Sequence, residues 1–250
     1  MNHSPRYRAA YDRSIDAVSL VMAVTVVLSG CDGSNPMEPS PTAICDASPG
    51  SGRPMPAFLQ RPFSGSFSMT GYFDHDLPIT FDQSADNNGY VLTFCGERTG
   101  GQDGHPGYDW SMPTGTPLLA VADGVVLQAG EGPPQFCPAF NRITTGLLVL
   151  LGHAAPSGEE FVSLHGHVSQ VLVTEGEQVT AGQRVALSGS TGCSLGPHLH
   201  FEVGRVVGGR RLQIDPYGWK GAGTDPWEAD ARGAASVWLW SPGEAPSVAP

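Results

Sequence analysis

Lysine is nearly absent: the 250 residues hold one, Lys220. Charged side chains make up only 15% of the chain and the formal net charge is −11, so no basic stripe is available to neutralise phosphates and nucleic-acid binding is a poor fit. No segment sustains a 3.6-residue apolar period, which argues against a helical bundle. No C-x-x-C spacing occurs among the five cysteines, which argues against a thiolate zinc site. What the chain has in excess is Gly (33) and Pro (22), the punctuation of a turn-rich β protein. Its length suffices for one domain with decorations and a proper core.

Short apolar runs separated by turn signals support that class: "YVLTF", "LLAVA", "VVLQA", "LLVLL", "FVSLHGHV", "RVALSG" and "HLHFEV". The fold class expected is all-β and mostly antiparallel. Asp123-Gly124 between "LLAVA" and "VVLQA" reads as a hairpin turn. The stretch "VLVTEGEQVTAGQ" (residues 171–183), with turns at Gly176 and Gly182, describes a tight β excursion of the kind also found in biotinyl and lipoyl carriers. Those carriers present a modified lysine at a hairpin tip, and Lys220 lies far outside this stretch.

At the start, Arg6, Arg8 and Arg13 precede an apolar run from Ala17 to Leu28 that is too short for a comfortable membrane span. This reads as an export signal, residues 1–30. Leu28, Ser29, Gly30 and Cys31 resemble the lipobox of bacterial lipoproteins, which implies cleavage before Cys31, its lipidation, and an exported, membrane-anchored protein facing the periplasm or cell wall. Residues 31–56 are rich in Pro, Gly and Ser and read as a tether. An exported chain lives where disulfides persist. The pairing expected is Cys137 with Cys193, both in loops beside histidine motifs, leaving Cys45 for Cys95.

The chemistry gathers in three motifs. "GPHLHFEV" places His198 and His200 at i and i+2, on one face of a strand. "SLHGHVSQ" holds a second H-x-H, so His165 and His167 are expected to share a face as well. "GHPGYDW" sets His105 and Asp109 four apart, with Pro106 and Gly107 marking a turn that enters a strand. Two histidine nitrogens and one carboxylate are a donor set zinc accepts, leaving a position where bound water becomes acidic enough to attack a peptide carbonyl. Spacing alone does not choose which of the five imidazoles ligate.

"HPGYD", "SLHGHVS" and "GSTGCSLGPHLHFEV", joined by "GTPLLAVADGVV" and "VTEGEQVTAGQRVALSGSTG", resemble the lysostaphin/LytM-type zinc metallopeptidases, endopeptidases that cut peptide cross-links of bacterial peptidoglycan. The likeness runs from about Gly104 to Val203, and "DPYGW" (residues 215–219) resembles the end of that domain. The resemblance implies a two-sheet antiparallel core and one zinc per chain. It assigns His105, Asp109 and His200 as zinc ligands and His198 and His167 as catalytic histidines. His165 stands where that family has tyrosine, and Val168 where it has leucine. The organisation expected is therefore an N-terminal β extension (57–100), the metallopeptidase domain (101–220) and a tail (221–250) docked through Trp227, Trp238 and Trp240. A monomer acting on peptidoglycan peptide is implied, and the alternative is a non-catalytic relative that binds or activates a cell-wall amidase. His153 reads as a strand-end residue and His75 as part of a surface turn.

Overall fold

The computed structural model describes residues 57–76, 90–229 and 233–249. Cys31, Cys45 and the expected export signal and tether lie outside them. Among the described residues fifteen strands follow in order: β1 (Met69–Gly71), β2 (Tyr90–Leu92), β3 (Arg98–Gly100), β4 (Tyr108–Ser111), β5 (Pro117–Leu119), β6 (Gly124–Glu131), β7 (Gln135–Cys137), β8 (Arg142–Thr144), β9 (Leu147–Ala154), β10 (Glu160–Gly166), β11 (Gln170–Val171), β12 (Gln178–Val179), β13 (Arg184–Leu187), β14 (His198–Val207) and β15 (Arg210–Ile214). Among the described residues the only helical elements are two 3-10 turns, Pro138–Phe140 and Pro226–Ala229. No helix there is long and apolar enough to cross a membrane. The all-β, antiparallel class expected from the sequence is what the chain adopts.

The main sheet runs β1-β4-β14-β10-β9-β6-β12, with β15 added beside β14, and a smaller sheet runs β11-β13-β5. Period-2 alternation explains how the main sheet carries both a core and a site. Tyr108 and Trp110 of β4 and Leu199 and Phe201 of β14 are fully buried, while Asp109, His198 and His200 between them point to the other face. The buried face joins residues of the small sheet, Leu118, Val185 and Ala186, in one core. Aromatic rings dominate it: Trp110 lies 5.3 Å from Phe63, and Trp240 lies 6.0 Å from Phe201 and 5.4 Å from Tyr217. Trp227 and Trp240 of the C-terminal segment are fully buried.

Two expectations need correction. Asp123-Gly124 does not turn a hairpin, because β5 pairs with β13 in the small sheet while β6 pairs with β9 and β12 in the large one. The Asp123 side chain instead accepts from Ala181 N (2.8 Å), and a Cβ on Gly124 would come within 2.2 Å of Gly152 O. Glycine is needed for close passage from sheet to sheet, not for a primed turn. His75 is no surface residue: it is fully buried, with Nδ1 2.7 Å from Asp225 Oδ1 and Nε2 2.9 Å from Asp215 Oδ2. Tyr108 donates to the same Asp215 oxygen at 2.7 Å. His153 stands next to the last residue of β9, as expected, and is buried there, bonded to Asp123 O and Ser163 Oγ.

The expected Cys137–Cys193 disulfide is present. Cys95 is disulfide-bonded too, and Cys45, its expected partner, lies outside the described residues.

Candidate active site

The site is built on one transverse row of the main sheet. Gly71 of β1, Asp109 of β4, His200 of β14 and Gly166 of β10 are successive register partners across four strands. Asp109 and His200 thus stand side by side because the sheet pairs them, and His198, two residues earlier on β14, rises from the same face. His105 arrives from the turn before β4. Gly107 in that turn lies against β14, where a Cβ would come within 2.3 Å of Phe201 O.

His105, Asp109 and His200 offer three donor atoms that all lie within 4.8 Å of one another. His105 Nδ1–H donates to the carbonyl of Tyr72 at 2.8 Å, which bares Nε2. His200 Nε2–H donates to Glu202 Oε1 at 3.0 Å, which bares Nδ1. The two bared nitrogens face each other at 3.1 Å, and Asp109 reaches both, Oδ1 to His200 Nδ1 at 2.9 Å and Oδ2 to His105 Nε2 at 3.2 Å. Two lone pairs and a carboxylate converging on one point, each histidine fixed in tautomer by an outer acceptor, form a donor set that fits a divalent cation of the zinc type. Glu202 is itself held by Arg211 and by Gln213 Nε2 at 3.0 Å.

The electrostatics follow the same contacts. Burial opposes ionisation of Asp109, but His105 and His200 outweigh it and hold the carboxyl well below its usual range. Burial likewise disfavours charge on Glu202, and Arg211 beside it more than compensates, lowering its pKa. In His200, burial is outweighed by Asp109 and Glu202, which push it up to about 10.

Two further histidines flank the row. His198 Nδ1–H donates to Gly196 O at 2.8 Å, leaving Nε2 bare and 3.7 Å from Asp109 Oδ1. His167 Nδ1–H donates to Thr191 O at 2.7 Å, and its ring lies 4.7 Å from His198 and 5.6 Å from His200. Burial, with the neighbouring His200, lowers His167 to about 4. Both carbonyls belong to the loop 191–196, which the Cys137–Cys193 disulfide ties to the β7–β8 hairpin.

His165 does not share a face with His167. It is opposite Phe201 in the register, fully buried, and donates from Nε2 to Leu119 O at 2.9 Å; burial lowers it to about 4. The strand alternation breaks because β10 ends at Gly166 and His167 takes a left-handed backbone, φ 57°, which turns its ring back over the site. Sequence reasoning also missed Glu202. The signal was in "HLHFE": i+2 from His200 is the same face of the strand.

An antiparallel sheet that presents two histidines and an aspartate as a set able to hold a divalent cation, with two more histidines beside it, defines the class as β domains with a candidate metal site. Residues 103–216 match the model of peptidase family M23, and the chain carries an M23 domain over that span. Among curated relatives, a metalloprotease of Haemophilus influenzae described as uncharacterized is 41% identical over 106 residues, 41% of this chain and 20% of that protein. Peptidoglycan DD-endopeptidase ShyA of Vibrio cholerae is 38% identical over 113 residues, 44% of this chain and 23% of that protein. These matches span a quarter or less of the relatives' length. The catalytic domain of lysostaphin from Staphylococcus simulans is 27% identical, covers 56% of this chain and 80% of that one, and superposes with a TM-score of 0.36.

Proposed function

We propose that the chain is a zinc-dependent endopeptidase that hydrolyses peptide cross-links of bacterial peptidoglycan, with His105, Asp109 and His200 as zinc ligands and His167 and His198 as catalytic residues. The observation that carries the reading is the convergence of the three donor atoms within 4.8 Å, with the outward nitrogen of each histidine engaged by an acceptor of its own, Tyr72 O for His105 and Glu202 Oε1 for His200. When bound, zinc supplies Lewis acidity toward a carbonyl oxygen and makes a nucleophilic water available near neutral pH. His198, with Nε2 bare beside Asp109, takes the proton from that water and returns it to the leaving amine. His167, neutral and with Nδ1–H already engaged, offers an acceptor at Nε2, which suits holding the water; donation to an oxyanion requires that it first be protonated. The alternative, a non-catalytic module that binds or activates a wall amidase, needs none of these five side chains in working order.

The test is a single assay on the purified protein. The expected result is about one zinc per chain, new peptide ends from defined muropeptides by mass, and no cleavage after the metal is stripped. Cleavage by a metal-free preparation would discard the mechanism, and zinc binding without cleavage would favour the amidase partner.

The reading extends to location. We propose that Cys31 anchors the chain to a membrane as a lipoprotein, so that the domain acts in the periplasm or at the wall. Mass spectrometry of the cell-associated protein is expected to find an acylated Cys31 at the amino terminus; an intact Met1 end would refute it.

A further inference from the structure

The segment 57–76 precedes the M23 match, yet it touches both ligands that come from the start of the domain. Tyr72 O takes the Nδ1–H of His105. Asp74 N donates to His105 O at 2.9 Å, and Asp74 Oδ2 accepts from Gly104 N at 2.8 Å, so the two residues of the turn are gripped on both sides. Asp74 Oδ1 accepts from Leu92 N and Asp76 N, both at 2.9 Å, and the residue is fully buried. Gly71 stands opposite Asp109 across the β1–β4 pairing. A Cβ there would come within 2.7 Å of Asp109 Oδ2 and 3.1 Å of its Cγ, where only the bare glycine leaves the carboxylate its place.

From this we infer that the N-terminal extension is part of the metal centre: Gly71, Tyr72 and Asp74 are positioning residues that set the His105 ring and the Asp109 carboxylate. The inference rests on the metal reading proposed above and deepens it. The extension is neither a removable cover nor a spacer between anchor and enzyme; a domain cut back to the family boundary would lose the outer acceptor of one ligand and the wall behind another. Loss of such outer partners typically weakens a metal site 10- to 100-fold.

The test uses the full chain, with cobalt(II) as a coloured stand-in for zinc. Gly71→Ala is compared with wild type and with Gly100→Ala, a strand glycine whose added Cβ meets nothing within 4 Å. The expected result is that Gly71→Ala binds cobalt about tenfold or more weakly and shifts its visible absorption bands, while Gly100→Ala matches wild type in both. Equal affinity and identical spectra in Gly71→Ala and wild type would overturn the inference while leaving the metal site standing. No cobalt or zinc bound by wild type would overturn the metal reading and this inference together. If Gly71→Ala does not fold, Asp74→Asn serves in its place, with the same two readouts.

Discussion

His200→Ala is expected to release zinc, while His198→Ala keeps it and loses turnover. The two residues are neighbours on one strand face, so a difference between them cannot come from general damage to β14. His200 Nδ1 meets Asp109 Oδ1 and His105 Nε2 and its other nitrogen is braced by Glu202; removing the ring takes away one of three donors, a loss larger than the roughly 10- to 100-fold that follows when only an outer partner goes. His198 stands one step back, 3.7 Å from the same carboxylate, and its Nδ1–H is spent on Gly196 O. Its removal is expected to lower kcat by about a hundred- to ten-thousandfold with KM and metal content near wild type. Equal metal loss in both variants, measured by elemental analysis, would show that the roles are misassigned.

His75→Ala is expected to destabilise the protein strongly. The imidazole lies between Asp215 and Asp225, all three buried, and stitches the N-terminal extension to the end of the domain and to the C-terminal segment. Taking out the middle member leaves two carboxylates facing each other without a cation. Breaking a buried pair in this way costs about 3–5 kcal/mol, and for a chain of this size that lowers Tm by roughly 10 °C. The pH dependence has a definite sign. Burial by itself lowers the His75 pKa, but the hydrogen bonds and charges of Asp215 and Asp225 override it and push the value up to about 9. A histidine raised above its ordinary 6.5 contributes in full below that pH, and the contribution is lost as pH rises through about 9. The Tyr108 and Tyr217 phenols are pushed well above their ordinary range, chiefly by burial, and stay protonated across this window. The Tm gap between wild type and His75→Gln should therefore narrow from pH 7 to pH 10. A gap that does not change over that span would mean His75 is held as a neutral ring.

The fold class was legible because turn residues and period-2 runs are local signals: "HLHFEV" is a strand wherever it stands, and its alternation places His198 and His200 together. The company these residues keep is not local. Nothing within "HPGYD" says that β4 will lie against β14 with Asp109 opposite His200; the likeness of whole motifs to a known family carried that expectation. Asp123-Gly124 misled because the same dipeptide serves a hairpin and a tight sheet crossing, and only the partner strands tell them apart. His165 and His167 misled because alternation was carried one residue past the end of β10, into a left-handed position that nothing in "HGHV" marks. His75 looked like a turn residue among acids because its two partners are 140 and 150 positions away. The acceptors that fix the tautomers of His105, His167 and His198 are backbone carbonyls, of Tyr72, Thr191 and Gly196, and a carbonyl is common to every residue type.

The row that gathers Asp109 and His200 spans 91 positions of chain, and the links of His75 reach further still. A growing polypeptide has His105 and Asp109, two of the three grouped side chains, long before it has His200, and cannot bring them together until β14 has been made. Segments so far apart pay for loop closure before any pairing rewards them, which slows assembly. Under the proposed function, hydrolytic capacity would arrive late in the life of each molecule, as a property of the finished sheet rather than of any segment released on the way.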